Sequence, residues 1–259
     1  MLFRDTADGA LFIPQPSHAL LSGQIMAAWG ALGFARPDPA PEVILAASQH
    51  DVGWMGWESE PTLNPATGRP HAFTEVAGAV HAPMWARGVE LARAAWGLWP
   101  ALLVSRHGSL IYRRYADPAR MTPRDAEAVA RYQAEQSVLQ SRWADALGAS
   151  PEQLERNTAL VAATDALSLA ACFGRAGWAG DAPRDSGSMA PLTLAGSAQE
   201  GWTLDPWPFI APTLTLRCEV MRLPAGARWT DEAEMRRALR QAPRTQLEET
   251  LREASSGER

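Results

Sequence analysis

Residues 46–54 read AASQHDVGW, and the adjacent pair His50-Asp51 within that stretch decides how the chain is best read. Val43 to about Val52 has the apolar content of a short helix closed by Gly53, which puts the pair near a helix end. Successive helical residues project about 100° apart, so His50 and Asp51 can reach neighbouring cations across one cavity. The two oxygens of a carboxylate can bridge two cations, whereas an imidazole ends a coordination sphere.

Working outward, the chain has only five histidines, so their placement matters more than their number. His18 stands near the start of a helix marked by the spacing of Leu21, Ile25 and Trp29. His81 falls in the helical pattern from Thr74 to Trp99, interrupted near Pro83, and His107 in that from Ala101 to Tyr115. A single helix-borne histidine is more often a hydrogen-bonded core or surface residue than a ligand. Asp165 is harder to dismiss, because it sits inside the apolar run LVAATDALSLAA (160–171). A carboxylate on a buried helix face is costly unless it is paired or binds a metal. His71, in GRPHAF (68–73), has no place in this order and reads as a surface residue or as support for a ligand. Gln15 and Gln49, beside His18 and His50, are candidates to orient the imidazole rings.

The remaining pattern is chiefly helical. Asp8-Gly9 between two apolar runs predicts a hairpin over Leu2 to Ile13, and the Trp- and Pro-rich segment from Trp54 to Pro70 reads as an irregular loop. Thr122-Pro123 and Ser150-Pro151 start two long helices that run to about Leu147 and Phe173. Residues 174–190 have the composition of a flexible linker. Beyond them, Leu214, Leu216, Cys218 and Val220 alternate with Thr215, Arg217, Glu219 and Met221 as in a half-buried strand, with Leu192 to Leu194 and Trp202 to Leu204 as shorter partners. A last amphipathic helix begins after Thr230, breaks at Pro243 and frays into the polar end. The expected divisions are a helical metal-binding domain over 1–173, a linker over 174–190, a β-plus-helix appendage packed on it over 191–252 and a disordered tail over 253–259.

Charge and composition narrow the function. A net charge of −5 without a basic run gives no footprint for nucleic acid or an anionic membrane. All 24 basic residues are arginine, which excludes chemistry that needs a lysine ammonium. The chain shows neither a signal segment nor a membrane span and is expected in the cytoplasm. Cys172 and Cys218, far apart, suggest neither a disulfide framework nor a zinc-thiolate site.

Taken in order, His18, His50-Asp51, His81, His107 and Asp165 resemble the ligand pattern of the HD superfamily, with the two intervening histidines of its dinuclear members. The intervals of 32, 31, 26 and 58 residues are similar to those of that group. A second likeness, to an uncharacterised bacterial family known as a domain of unknown function (DUF3891), rests on IPQPSHALLSGQ, AASQHDVGW, TGRPHAF, LLVSRHG and LDPWPF and covers nearly the whole chain. The first resemblance implies a mainly α, HD-like helical bundle with a small antiparallel β appendage from the C-terminal strands, which the N-terminal hairpin could join. It also implies one metal on His18, His50 and Asp165, another on His81 and His107, and Asp51 bridging them. Iron or manganese suits such imidazole-rich ligands best, ahead of zinc or magnesium. The lysine that follows the motif in several HD proteins is missing here.

The expected activity is hydrolysis of a small phosphorylated substrate as a phosphohydrolase or phosphodiesterase, with Asp51 and Arg106 as catalytic candidates. Arg69, Arg106, Trp54 and Trp57 are the substrate-binding candidates. A diiron oxygenase of a small molecule and a non-catalytic metal-binding or sensing protein are the alternatives. The partner expected is a small anionic substrate, with a homodimer left open.

Overall fold

The computed structural model describes residues 1–31, 33–175, 177–198 and 200–254. The chain opens with the hairpin β1 (Leu2–Thr6) and β2 (Gly9–Ile13) and continues into α1 (Gln15–Ala28), α2 (Ala40–Gln49) and α3 (Trp54–Ser59). The short pair β3 (Leu63–Asn64) and β4 (Arg69–Pro70) precedes four helices: α4 (Gly78–Trp96), α5 (Leu98–Tyr115), α6 (Pro123–Leu147) and α7 (Pro151–Phe173). Then follow β5 (Trp178–Pro183), β6 (Met189–Ser197), β7 (Gly201–Asp205), β8 (Thr213–Leu223), α8 (Glu232–Gln241) and β9 (Arg244–Glu253).

The expectation of a mainly helical HD-like bundle is overturned by a seven-stranded sheet in the order β1-β2-β8-β9-β7-β6-β5, curled into a half-barrel. The fold is α/β. All neighbours in this sheet are antiparallel except β7 and β9, which run parallel. The predicted strand is present as β8, and the N-terminal hairpin does join it, through Ala10 opposite Leu223 and Phe12 opposite Met221. Two strands of this sheet were not anticipated. Residues 174–190, expected as a linker, contain β5 and the start of β6, and the segment after Pro243 is β9 rather than a fraying helix. Gln, Leu, Glu and Arg in β9 favour helix intrinsically, but Leu247, Glu249 and Leu251 alternate inward and pair with β8, so the sheet context prevails over propensity. The tail expected over 253–259 lies, from residue 255 onward, outside the described residues.

The sheet supports the helices that carry the candidate ligands. Leu216, Cys218, Val220, Leu192, Leu194 and Trp202 form one core with Leu21, Ile25, Leu160, Val161 and Leu167 of α1 and α7. On the opposite face, Met235 and Leu239 of α8 pack with Ala10, Phe12 and Met221. As expected, α6 and α7 begin with side-chain caps: Thr122 Oγ1 accepts from Asp125 N and Ser150 Oγ from Gln153 N. Helix α4 runs through Pro83 without a break. The loop expected over 54–70 contains α3 and the β3-β4 pair. Among the described residues no helix is long and apolar enough to cross a membrane.

Glycines let the ligand-bearing elements approach. Gly23 of α1 lies against Ser48 of α2, where a Cβ would fall 1.8 Å from Ser48 Oγ and 3.0 Å from its Cα. Gly53 and Gly88 similarly seat the turn after α2 on α4, since a Cβ on Gly53 would meet the Met84 carbonyl oxygen at 2.5 Å. Gly23→Ala should therefore lower stability by about 1–3 kcal/mol through overpacking. Gly56→Ala, in α3 with nothing within 4 Å of the new Cβ, should be neutral or slightly stabilising. Urea unfolding of both variants beside the parent checks the contrast.

Candidate metal centre

Four helices and one turn bring the predicted ligands to one end of a cavity of about 470 Å³. His18 lies in the first turn of α1, and His50 and Asp51 follow α2, which stops at Gln49, earlier than the sequence suggests. His107 is midway along α5, Asp165 midway along α7 and His81 near the start of α4. His18, His50, Asp51, His107 and Asp165 are all buried.

The donor atoms converge. His18 Nε2 is 2.8 Å from Asp51 Oδ2 and 3.8 Å from Asp165 Oδ1. His50 Nε2 is 3.6 Å and 3.3 Å from the same two oxygens, and His107 Nε2 is 3.6 Å from Asp165 Oδ2. Donors about 2.1 Å from a shared cation and at right angles stand about 3.0 Å apart, so this spacing suits a coordination shell. Two overlapping groups can hold a metal: His18, His50 and Asp51, and His50, His107 and Asp165.

Neighbouring groups fix the rings. Ser168 Oγ donates to the Asp165 carbonyl at 2.8 Å, so at 2.8 Å from His18 Nδ1 it accepts that N–H and turns Nε2 towards the carboxylates. His50 Nδ1 donates to the Ala47 carbonyl at 2.8 Å, which leaves Nε2, buried and without a hydrogen-bond partner, facing the same point. An orphaned imidazole nitrogen beside two buried carboxylates fits a cation. The roles proposed for Gln15 and Gln49 thus fall to Ser168 and to the Ala47 backbone. Ser168 stands one helical turn after Asp165, a spacing that would have signalled it.

His81 stands apart from both groups. Its ring lies between Trp54 and Trp85, at centroid distances of 4.9 Å and 4.4 Å, and Nδ1 is 3.2 Å from the Tyr112 hydroxyl. Its Nε2 is buried without a partner and the residue lines the cavity. The pairing of His81 with His107 on a second metal is therefore not gathered into a compact group among the described residues.

The substrate-binding candidates need more correction. Arg106 points away from His107, as neighbours on a helix must, and bonds the buried Thr158 Oγ1 and the exposed Glu155 of α7. Arg69 bonds Asp5 at 3.1 Å. Neither lines the cavity, whereas Arg114 does. Trp54 lines it and Trp57 packs behind, with ring centroids 5.7 Å apart. His71 pairs with Thr62 at 3.0 Å, outside the cluster.

Electrostatics couple the members of the cluster. Burial works against a charged His50, yet Asp51 and Asp165 outweigh it and raise the pKa to about 9. Burial also opposes ionisation of Asp165, but the surrounding imidazoles hold its carboxyl below the usual range. His107 and His81, less favourably placed, are pushed by burial down to about 4. In metal-free protein His81 and His107 thus contribute stability that is present above 6.5, their ordinary value, and lost as pH falls towards 4. His50 contributes stability present below 6.5 and lost as pH rises through 9. Urea midpoints of chelator-treated protein should fall on both sides of neutrality, and His107→Gln should flatten the acid side. An unchanged acid side in that variant would contradict the assignment.

Residues 1–225 match the family described as a protein of unknown function (DUF3891). No curated protein and no solved structure matches the chain. The match takes in β1 through the whole of β8 and every member of the His/Asp cluster, and the chain belongs to the DUF3891 family.

Proposed function

We propose that this chain is a metal-dependent hydrolase of a small phosphorylated substrate, working at a metal site of the HD kind although its fold is not a helical bundle. The observation that carries the reading is the orphaned Nε2 of His50, set among His18, Asp51, His107 and Asp165 at the inner end of a cavity large enough for a small ligand. Iron or manganese suits the donor set best. We infer one tightly held ion, because the two candidate groups share His50 and His81 lies outside both.

When bound, a divalent cation supplies charge neutralisation at a phosphoryl group and lowers the pKa of water beside it. The residues of the chain do the rest. Asp51 and Asp165 bring the negative charge that retains the cation, while Ser168 and the Ala47 carbonyl hold the imidazoles in place. Burial keeps His81 neutral and Tyr112 protonated. The apolar side chains of Trp54, Phe73 and Leu169 line the cavity and limit its hydration. A second reading, oxygenation at a diiron site, would need both His50-sharing groups to be filled and so two equivalents of iron, and the same apolar walls suit an unreactive hydrophobic substrate.

Protein purified without added metal should contain close to one equivalent of iron or manganese. Asp51→Asn should lose metal and turnover together, and Ser168→Ala should weaken metal binding by about 10–100-fold. Arg106→Ala should change neither KM nor metal content. A phosphoester panel run in air and anaerobically separates the readings: turnover that needs oxygen defeats hydrolysis, and turnover unaffected by metal removal defeats both.

A further inference from the structure

One face of α5 runs outward from the centre. His107, Ile111 and Arg114 are spaced by four and then three residues, so they share a face and rise about 10 Å along the axis. His107 is buried, Ile111 half-buried and Arg114 exposed, and all three line the cavity. Between the ends the walls are apolar, from Trp54, Phe73 and Leu169. Arg114 is the one cavity-lining arginine, and among the described residues it forms no ion pair within 4.0 Å. Arg69 and Arg106, by contrast, are engaged by Asp5 and Glu155.

Building on the metal-site reading above, we propose that the substrate has three parts: a reacting group at the His/Asp cluster, an apolar body along the middle of the cavity, and a second, anionic group held by Arg114 at the open end. The rise of about 10 Å between His107 and Arg114 sets the scale of the body. It fits an aliphatic chain of several carbons or an aromatic ring with a short arm. A bare phosphate or a small polyol would leave the apolar walls uncovered. Arg114 is a binding and specificity residue here and takes no part in bond breaking.

The test uses phosphonates, which resist hydrolysis, so binding is read without turnover. Alkylphosphonates of increasing length, and the same series with a terminal carboxylate, are titrated against the full chain and Arg114→Met by calorimetry, with inorganic phosphate as reference. The metal content of each sample is measured in parallel. Affinity should rise about fourfold per methylene until the cavity is filled. The terminal carboxylate should add about three- to tenfold at one favoured length in the native chain, and no gain in Arg114→Met. Equal binding of inorganic phosphate and the longer phosphonates would overturn the apolar body. An equal carboxylate gain in Arg114→Met would overturn the anchor. Chain-length selectivity in protein that holds no metal would support the substrate class while defeating the metal reading on which it was built.

Discussion

Two carboxylates, Asp51 and Asp165, are buried within a few ångströms of each other and face three imidazoles. Removing such charges from water costs several kcal/mol per ion unless a positive partner is present. In the protein alone that partner is the proton on His50, held by the carboxylates against the pull of burial. A divalent cation meets the same demand with a stronger field, and by displacing that proton it would turn the His50 Nε2 lone pair into a ligand. The rest of the structure supports this arrangement. Gly23 lets α1 approach α2 until the His18 and His50 rings are 5.1 Å apart, and Gly53 seats the His50-Asp51 turn on α4.

The fold divides the work between a rigid side and a receptive one. Helices α1 and α7 are anchored on the sheet by a continuous apolar core and contribute His18, Asp165 and Ser168. A fixed scaffold behind the ligands preserves their spacing without help from substrate. Helices α4, α5 and α6 pack through an aromatic cluster of Trp85, Tyr112 and Tyr132 and a second core of Val89, Leu102, Val104 and Trp143. The close crossing near Gly108, where a Cβ would lie 2.3 Å from the Tyr132 hydroxyl, keeps His107 next to His50. His50 and Asp51, in the turn after α2, and His107 on α5 complete the cluster from the other side.

Much of the centre was legible in the sequence because burying a charge leaves a mark there. Asp165 within an apolar run and the His50-Asp51 pair are anomalies unless they meet, and they do meet. The fold was less legible. The period-2 pattern of β8 and the Asp8-Gly9 turn were readable, but β9 is written in helix-favouring residues and β5 lies in a Gly-rich stretch, so two of the seven strands looked like tail and linker. Strand partners separated by dozens of residues leave no local signal. The arginines misled for a similar reason. Adjacency of Arg106 to His107 says nothing about direction on a helix, whereas the four- and three-residue spacing from His107 through Ile111 to Arg114 does.

The proposed metal site does not depend on a helical-bundle fold. What the chemistry requires is a small number of donors held at fixed separations, and a scaffold of any class can supply that. The central claim is that the His/Asp cluster binds a transition metal directly through imidazole and carboxylate. X-ray absorption at the metal edge of the loaded protein tests this most directly. The account predicts a first shell of mixed nitrogen and oxygen at about 2.0–2.3 Å with the outer-shell scattering of at least two imidazoles. A shell of oxygen alone, without imidazole scattering, would contradict it.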